Sequence, residues 1–254
     1  MLIGAQLYTV EKFCQNLDDL AETLKKVADI GYTTVQLSGV CEYDPQWMKE
    51  QLDKNGLACH LTHIGFDKMK ADPVAVCRDH DILGCKYIGL GMMPGIREVT
   101  EESYQSFVKE LRPVVETFAK EGHKFFYHNH HYEFMRSENG KLYMERMAED
   151  FSPEEFGFTL DTYWVQFGGA NPVEWIQRLK GRLECIHLKD MKIVGKEQRM
   201  APIGEGNLNF PKIIEAAADA GVQYMFVEQD KSYDEDPFDC LKRSYRYLTS
   251  LGLH

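Results

Sequence analysis

A chain of 254 residues with 29 Lys and Arg against 40 Asp and Glu, a formal net charge of −11, is poorly suited to a broad nucleic-acid surface, because phosphate binding rests on clustered cations. Its length suits one α/β barrel, which needs about 250 residues, and no Pro/Gly/Ser-rich linker or charge block divides it. No run approaches the roughly 18 apolar residues of a membrane span, the amino terminus has no signal-like pattern, and the seven cysteines include no CxxC pair; a cytoplasmic protein without a membrane partner is expected.

In chain order, a strand is predicted over 2–8. A helix follows from Asn16 to Ile30, with Leu17, Leu20, Leu24, Val27 and Ile30 at spacings of three and four and Gly31 placed to stop it. Apolar runs over 33–37, 57–62 and 86–91 read as further strands. A helix from Glu102 to Lys120 carries Phe107, Leu111, Val114, Val115 and Phe118 on one stripe. Strands over 124–130, 157–161 and 184–188 come next. Gly204-Glu205-Gly206 reads equally as a tight turn or a substrate-contacting loop, a helix runs from Pro211 to Ala220, and 224–228 is the last strand. No GxGxxG follows the first strand, which weighs against an open dinucleotide-binding sheet. The alternation predicts a (β/α)8 TIM barrel as a single domain spanning 1–254.

Three strands end in metal-capable side chains: Phe158-Thr159-Leu160-Asp161, Cys185-Ile186-His187 and Met225-Phe226-Val227-Glu228. Ligands from different strands converge in this way at the carboxyl end of a parallel barrel, so Asp161, His187 and Glu228 are candidate ligands for a divalent ion. The run from Lys124 to Glu133 adds His128, His130, His131 and Glu133 at a fourth strand exit. His128 and His130 alternate along the chain and are expected on one face as proton-transfer groups. Cys185 is expected to be buried. His63, Trp164 and Lys189 are candidate substrate contacts: an imidazole at a strand exit, an aromatic face for a sugar ring and a cation for an oxygen. Lys192 lies on the same stretch, and both lysines read equally as a solvated loop. No multi-Arg clamp is evident, so the substrate need not be phosphorylated.

Gln6-Leu7-Tyr8-Thr9-Val10, Tyr127-His128-Asn129-His130, Leu160-Asp161-Thr162-Tyr163-Trp164, His187-Leu188-Lys189-Asp190 and Val227-Glu228-Gln229-Asp230 together resemble the sugar phosphate isomerase/epimerase group. That group belongs to the xylose-isomerase-like barrels, alongside D-tagatose 3-epimerase, inosose dehydratase and endonuclease IV. The resemblance implies one divalent ion (Mn, Mg, Co or Zn) held by Asp161, His187 and Glu228, with Glu228 also the catalytic base. The chain departs from tagatose-type epimerases at the fifth strand, where they carry Glu; Glu133 is favoured as fourth ligand on the preference of hard cations for oxygen, with His128 the alternative. The implied activity is isomerisation or epimerisation of a small ketose or keto-sugar through an enediolate. The runner-up is a lyase acting on a keto-cyclitol or 3-keto-glycoside, and a DNA-repair endonuclease or a non-catalytic sugar binder is remote. The implied partner is a small carbohydrate, and homo-oligomers are common among such relatives.

Overall fold

A computed structural model describes residues 1–254. Eight parallel strands close into a barrel: β1 (Leu2–Gln6), β2 (Thr34–Leu37), β3 (Ala58–His63), β4 (Tyr87–Leu90), β5 (Lys124–His128), β6 (Phe156–Asp161), β7 (Cys185–Leu188) and β10 (Tyr224–Val227). Each pairs with its sequence neighbours, and β1 meets β10 to close the ring through Gly4↔Phe226 and Ala5↔Val227. Closure removes both sheet edges, so every strand is covered and an unbroken apolar run such as Phe156–Leu160 is its natural sequence. No helix is long and apolar enough to cross a membrane.

The helices between the strands bury one stripe each. In α1 (Leu17–Ile30) that stripe is Leu20, Leu24 and Val27; the Asn16 side chain caps the start by accepting from Asp19 N–H, and Gly31 at φ +123° ends it. Burying each such side chain contributes about 1.5–3 kcal/mol. Helix α5 (Glu101–Lys120) covers β5 and buries Phe107, Leu111, Val115 and Phe118. Around the ring lie α2 (Pro45–Lys54), α3 (Phe66–Ala71), α4 (Pro73–Leu83), α6 (Tyr143–Asp150), α7 (Thr162–Phe167), α8 (Pro172–Arg178), α9 (Phe210–Ala220) and α10 (Pro237–Ser250).

Inside the barrel, Leu61, Tyr87, Phe126, Cys185 and Phe226 form a plug. Two glycines make room for its phenyl rings: a Cβ on Gly157 would lie 2.6 Å from Phe126 Cε1, and one on Gly4 would lie 2.8 Å from Phe226 Cδ1. Cys185 is fully buried here, below His187, and burial pushes its thiol well above the ordinary range.

The structure departs from the sequence reading after β7. The stretch whose lysines read equally as a solvated loop holds an antiparallel hairpin of β8 (Asp190–Val194) and β9 (Glu197–Ala201). Gly195, at φ +62°, supplies the turn, while Met191 and Met200 anchor the hairpin against Tyr163. Gly204-Glu205-Gly206 proves to be a strut: Gly204 and Gly206 N–H both donate to Asp190 Oδ2.

Candidate metal centre

Period-two alternation places residues two apart on the same inward row, so the layer above the plug is made by the strand ends. His128, Asp161, His187 and Glu228 meet there, all buried, with their candidate ligand atoms within 4.8 Å of one another. Ligands held at about 2.1 Å from one ion stand no more than about 4.2 Å apart, so the four need draw in by only a few tenths of an ångström each.

The two imidazoles are oriented from behind. His128 Nδ1 lies 2.9 Å from Gly91 O, a carbonyl that only accepts, so Nδ1 carries the proton and Nε2 faces Asp161 Oδ2 at 3.3 Å. His187 Nε2 donates to Gln36 Oε1 at 2.6 Å, which leaves Nδ1 bare. That bare nitrogen lies 2.9 Å from Glu228 Oε2 yet has no hydrogen-bond partner. An unprotonated nitrogen and a carboxylate oxygen this close repel unless a cation binds both, and imidazoles fixed through their outer nitrogen are typical of metal ligands. Burial pushes His187 below the ordinary imidazole pKa, keeping it neutral. Burial opposes protonation of His128 as well, yet Asp161 and Glu228 raise its pKa.

Charge leads to the same conclusion. Lys189, 1 % exposed, sits 3.1 Å from Glu228 Oε2, 3.4 Å from Asp161 Oδ2 and 2.5 Å from Asp230 Oδ1. Burial disfavours its charge, but the three carboxylates raise its pKa and keep it an ammonium. Burial lifts Asp230 to about 6, so it is ionised at neutral pH. Burial would raise Glu228 too, but the Lys189 ammonium holds it well below the carboxylate range. Three carboxylates against one ammonium leave a surplus of negative charge, which a bound cation would offset.

Glu133, the oxygen favoured from sequence as the fourth ligand, stands outside this group. It is fully buried, with Oε1 accepting from Tyr127 Oη at 2.6 Å and Oε2 from His130 N at 2.8 Å. Both oxygens are engaged, and His128 is the fourth member of the gathered group. His130 lies beyond the end of β5 and not on it, but the Glu133 bond turns it back so that its ring centroid is 4.8 Å from that of His128. Sequence reasoning missed Gln36 and Gln6, whose Nε2 donates to Glu228 Oε1. The available signal was a polar residue inside an otherwise apolar strand.

Above the cluster opens a cavity of about 560 Å³. His63, His130, Trp164, Lys189 and Glu228 line it, so the three expected substrate contacts share one chamber. Ser38 Oγ lies 3.1 Å from His63 Nδ1, whereas His63 Nε2 and Trp164 Nε1 are buried without partners. Lys192, 30 % exposed in its side chain, approaches Glu235 and is not part of that wall.

A closed parallel barrel with acidic and imidazole side chains gathered at its carboxyl end has the architecture in which barrel enzymes carry their active sites. The chain belongs to the xylose isomerase-like TIM barrel family, whose model matches residues 24–251. An inosose dehydratase of Geobacillus kaustophilus is 24% identical over 275 residues, covering 92% of this chain and 87% of that protein. Among solved structures, a sugar phosphate isomerase/epimerase from Parabacteroides distasonis superposes with a TM-score of 0.83 at 23% identity, covering 98% of this chain and 93% of the other. A second one from the same organism gives 0.81 at 25% identity over 97% of each chain.

Proposed function

We propose that this protein is a divalent-metal-dependent enzyme that removes a proton from the carbon beside the carbonyl of a keto-sugar or keto-cyclitol. The single observation that carries this is the bare His187 Nδ1 facing Glu228 among the gathered carboxylates. His128, Asp161, His187 and Glu228 would hold the ion. An ion so placed polarises a carbonyl and stabilises the negative charge that develops on its oxygen.

The chain's own groups do the rest. Glu228 is the base: Gln6 holds Oε1, and Oε2 looks into the site. Lys189 offers a permanent positive charge to a substrate oxygen. Burial drives His130 down to about 2, so it is a neutral hydrogen-bonding group. The Trp164 ring supplies an apolar face, with an unpartnered N–H to donate.

Return of the proton to the other face would make an epimerase, and its return to the neighbouring carbon an isomerase, the activities named for the two Parabacteroides proteins. Loss of a β-hydroxyl would make a dehydratase. That second reading is favoured by the replacement of a fifth-strand carboxylate by His128, which leaves Glu228 facing imidazoles, and by the inosose dehydratase relative.

Incubation with a keto-hexose and with a keto-inositol in heavy water tests the proposal. Deuterium should enter beside the carbonyl, and Glu228→Gln should lose that exchange while elemental analysis still finds metal. Appearance of a conjugated enone would identify dehydration. Turnover with neither solvent exchange nor a primary isotope effect at that carbon would overturn the mechanism.

A further inference from the structure

A second cavity, of about 480 Å³, lies beside the one above the metal centre and shares two wall residues with it, Tyr8 and Asp230. Its remaining wall includes Lys12, Lys231, Tyr233 and Glu235. Tyr8 is the partition. Its ring packs against Gly39, where a Cβ would come within 2.6 Å of Tyr8 Cδ2, and 37 % of the residue stays exposed.

Tyr233 adopts φ +56°, and no other non-glycine residue has a positive φ. A bulky aromatic residue holds that conformation only where its surroundings enforce it, and such strain concentrates at ligand sites. Here the enforcement is visible: Tyr233 Oη accepts from Met200 N–H at 3.1 Å, and the Arg199 guanidinium lies 4.8 Å from the ring centroid. The hairpin that begins just past Lys189 thus fixes the far wall of the second cavity.

The wall chemistry is selective. Two aromatic rings give flat apolar faces, and Lys12 and Lys231 stand among Glu11, Asp230 and Glu235, so donors and acceptors are both present and the cations are outnumbered. An anion would call for cations alone, and an aliphatic tail for apolar side chains. A neutral ring with one apolar face and many hydroxyls matches the mixture.

We infer that the cavity between Tyr8 and Tyr233 is a second saccharide subsite, so that the substrate is a glycoside spanning both chambers. The inference rests on the proposed reading of the metal centre as a sugar site, and it extends the substrate from one ring to two. Calorimetric titration of the full-length protein with glucose and with trehalose, maltose and cellobiose tests it by binding alone, so failure of the proton-abstraction mechanism would leave this result standing. At least one disaccharide should bind about tenfold tighter than glucose. Lys231→Ala and Tyr233→Ala should each erase that preference while leaving glucose affinity unchanged, and Lys231→Ala keeps the test valid should Tyr233→Ala loosen the hairpin. Equal affinities, no binding of any of these sugars, or a preference that survives both substitutions would overturn the subsite.

Discussion

Along three strands of the barrel the inward row reads Phe126 then His128, Cys185 then His187, and Phe226 then Glu228. In each case a step of two residues leads from an apolar plug to a polar cluster. The plug is satisfied throughout by packing, and below it Lys124 is paired with Glu184 at 2.6 Å. The cluster above holds a lone pair against a carboxylate and more negative charge than its one lysine balances. Stability and chemistry are thereby placed in adjacent layers of the same strands, close enough to be mechanically one body yet separately addressable by mutation.

The largest separation of the two layers should come from Asp161→Ala or His187→Ala. Each should abolish stoichiometric metal, measured by elemental analysis, while the circular dichroism spectrum stays that of the parent. Stoichiometric metal in either variant would remove the site. The converse is Phe126→Ala, which empties the plug below His128: thermal unfolding should show a loss of about 3–5 kcal/mol, with metal still bound.

A titration sharpens the contrast from outside the barrel. His80 is buried behind β3, with Thr62 Oγ1 2.7 Å from Nε2, and burial lowers its pKa to about 4. The folded state therefore binds fewer protons than the unfolded state between about pH 6.5 and about 4. Stability from this group is complete above that window and is lost as pH falls through it, on the order of 3 kcal/mol. Denaturant melts of the parent and of His80→Gln should converge as the pH is lowered. The smallest effect is expected for Gln36→Leu, which frees the outer nitrogen of His187 without touching the ligand set; metal affinity should fall by about 10–100-fold with the fold intact.

The barrel strands were legible because parallel strands buried on both faces are short apolar runs, and Asp161, His187 and Glu228 were legible because each ends one. The fourth position was harder. A preference for oxygen pointed to Glu133, and only the three-dimensional neighbourhood shows that Tyr127 and His130 already occupy its two oxygens. Lys189 was readable as a cation near the site, but equally as a solvated loop residue. Its burial depends on Asp161, Glu228 and Asp230 arriving from two other strand ends, a long-range convergence that local sequence does not encode. The hairpin escaped for a related reason: its apolar anchor is two methionines packed on a tyrosine of α7.

The glycine-rich turn after β9 has a meaning for phosphate. Backbone N–H groups converging on one point form a nest of the kind that elsewhere holds a phosphoryl group. Here Met191, Gly204, Gly206 and Leu208 all direct theirs at the carboxylate of Asp190, and Gly206 has no room for a side chain, since a Cβ would lie 2.3 Å from Asp190 Oδ1. The chain has filled its own anion nest with an internal carboxylate. The nest thereby acts as a fixed clamp that ties the hairpin to the turn, with its donors closed to any outside anion.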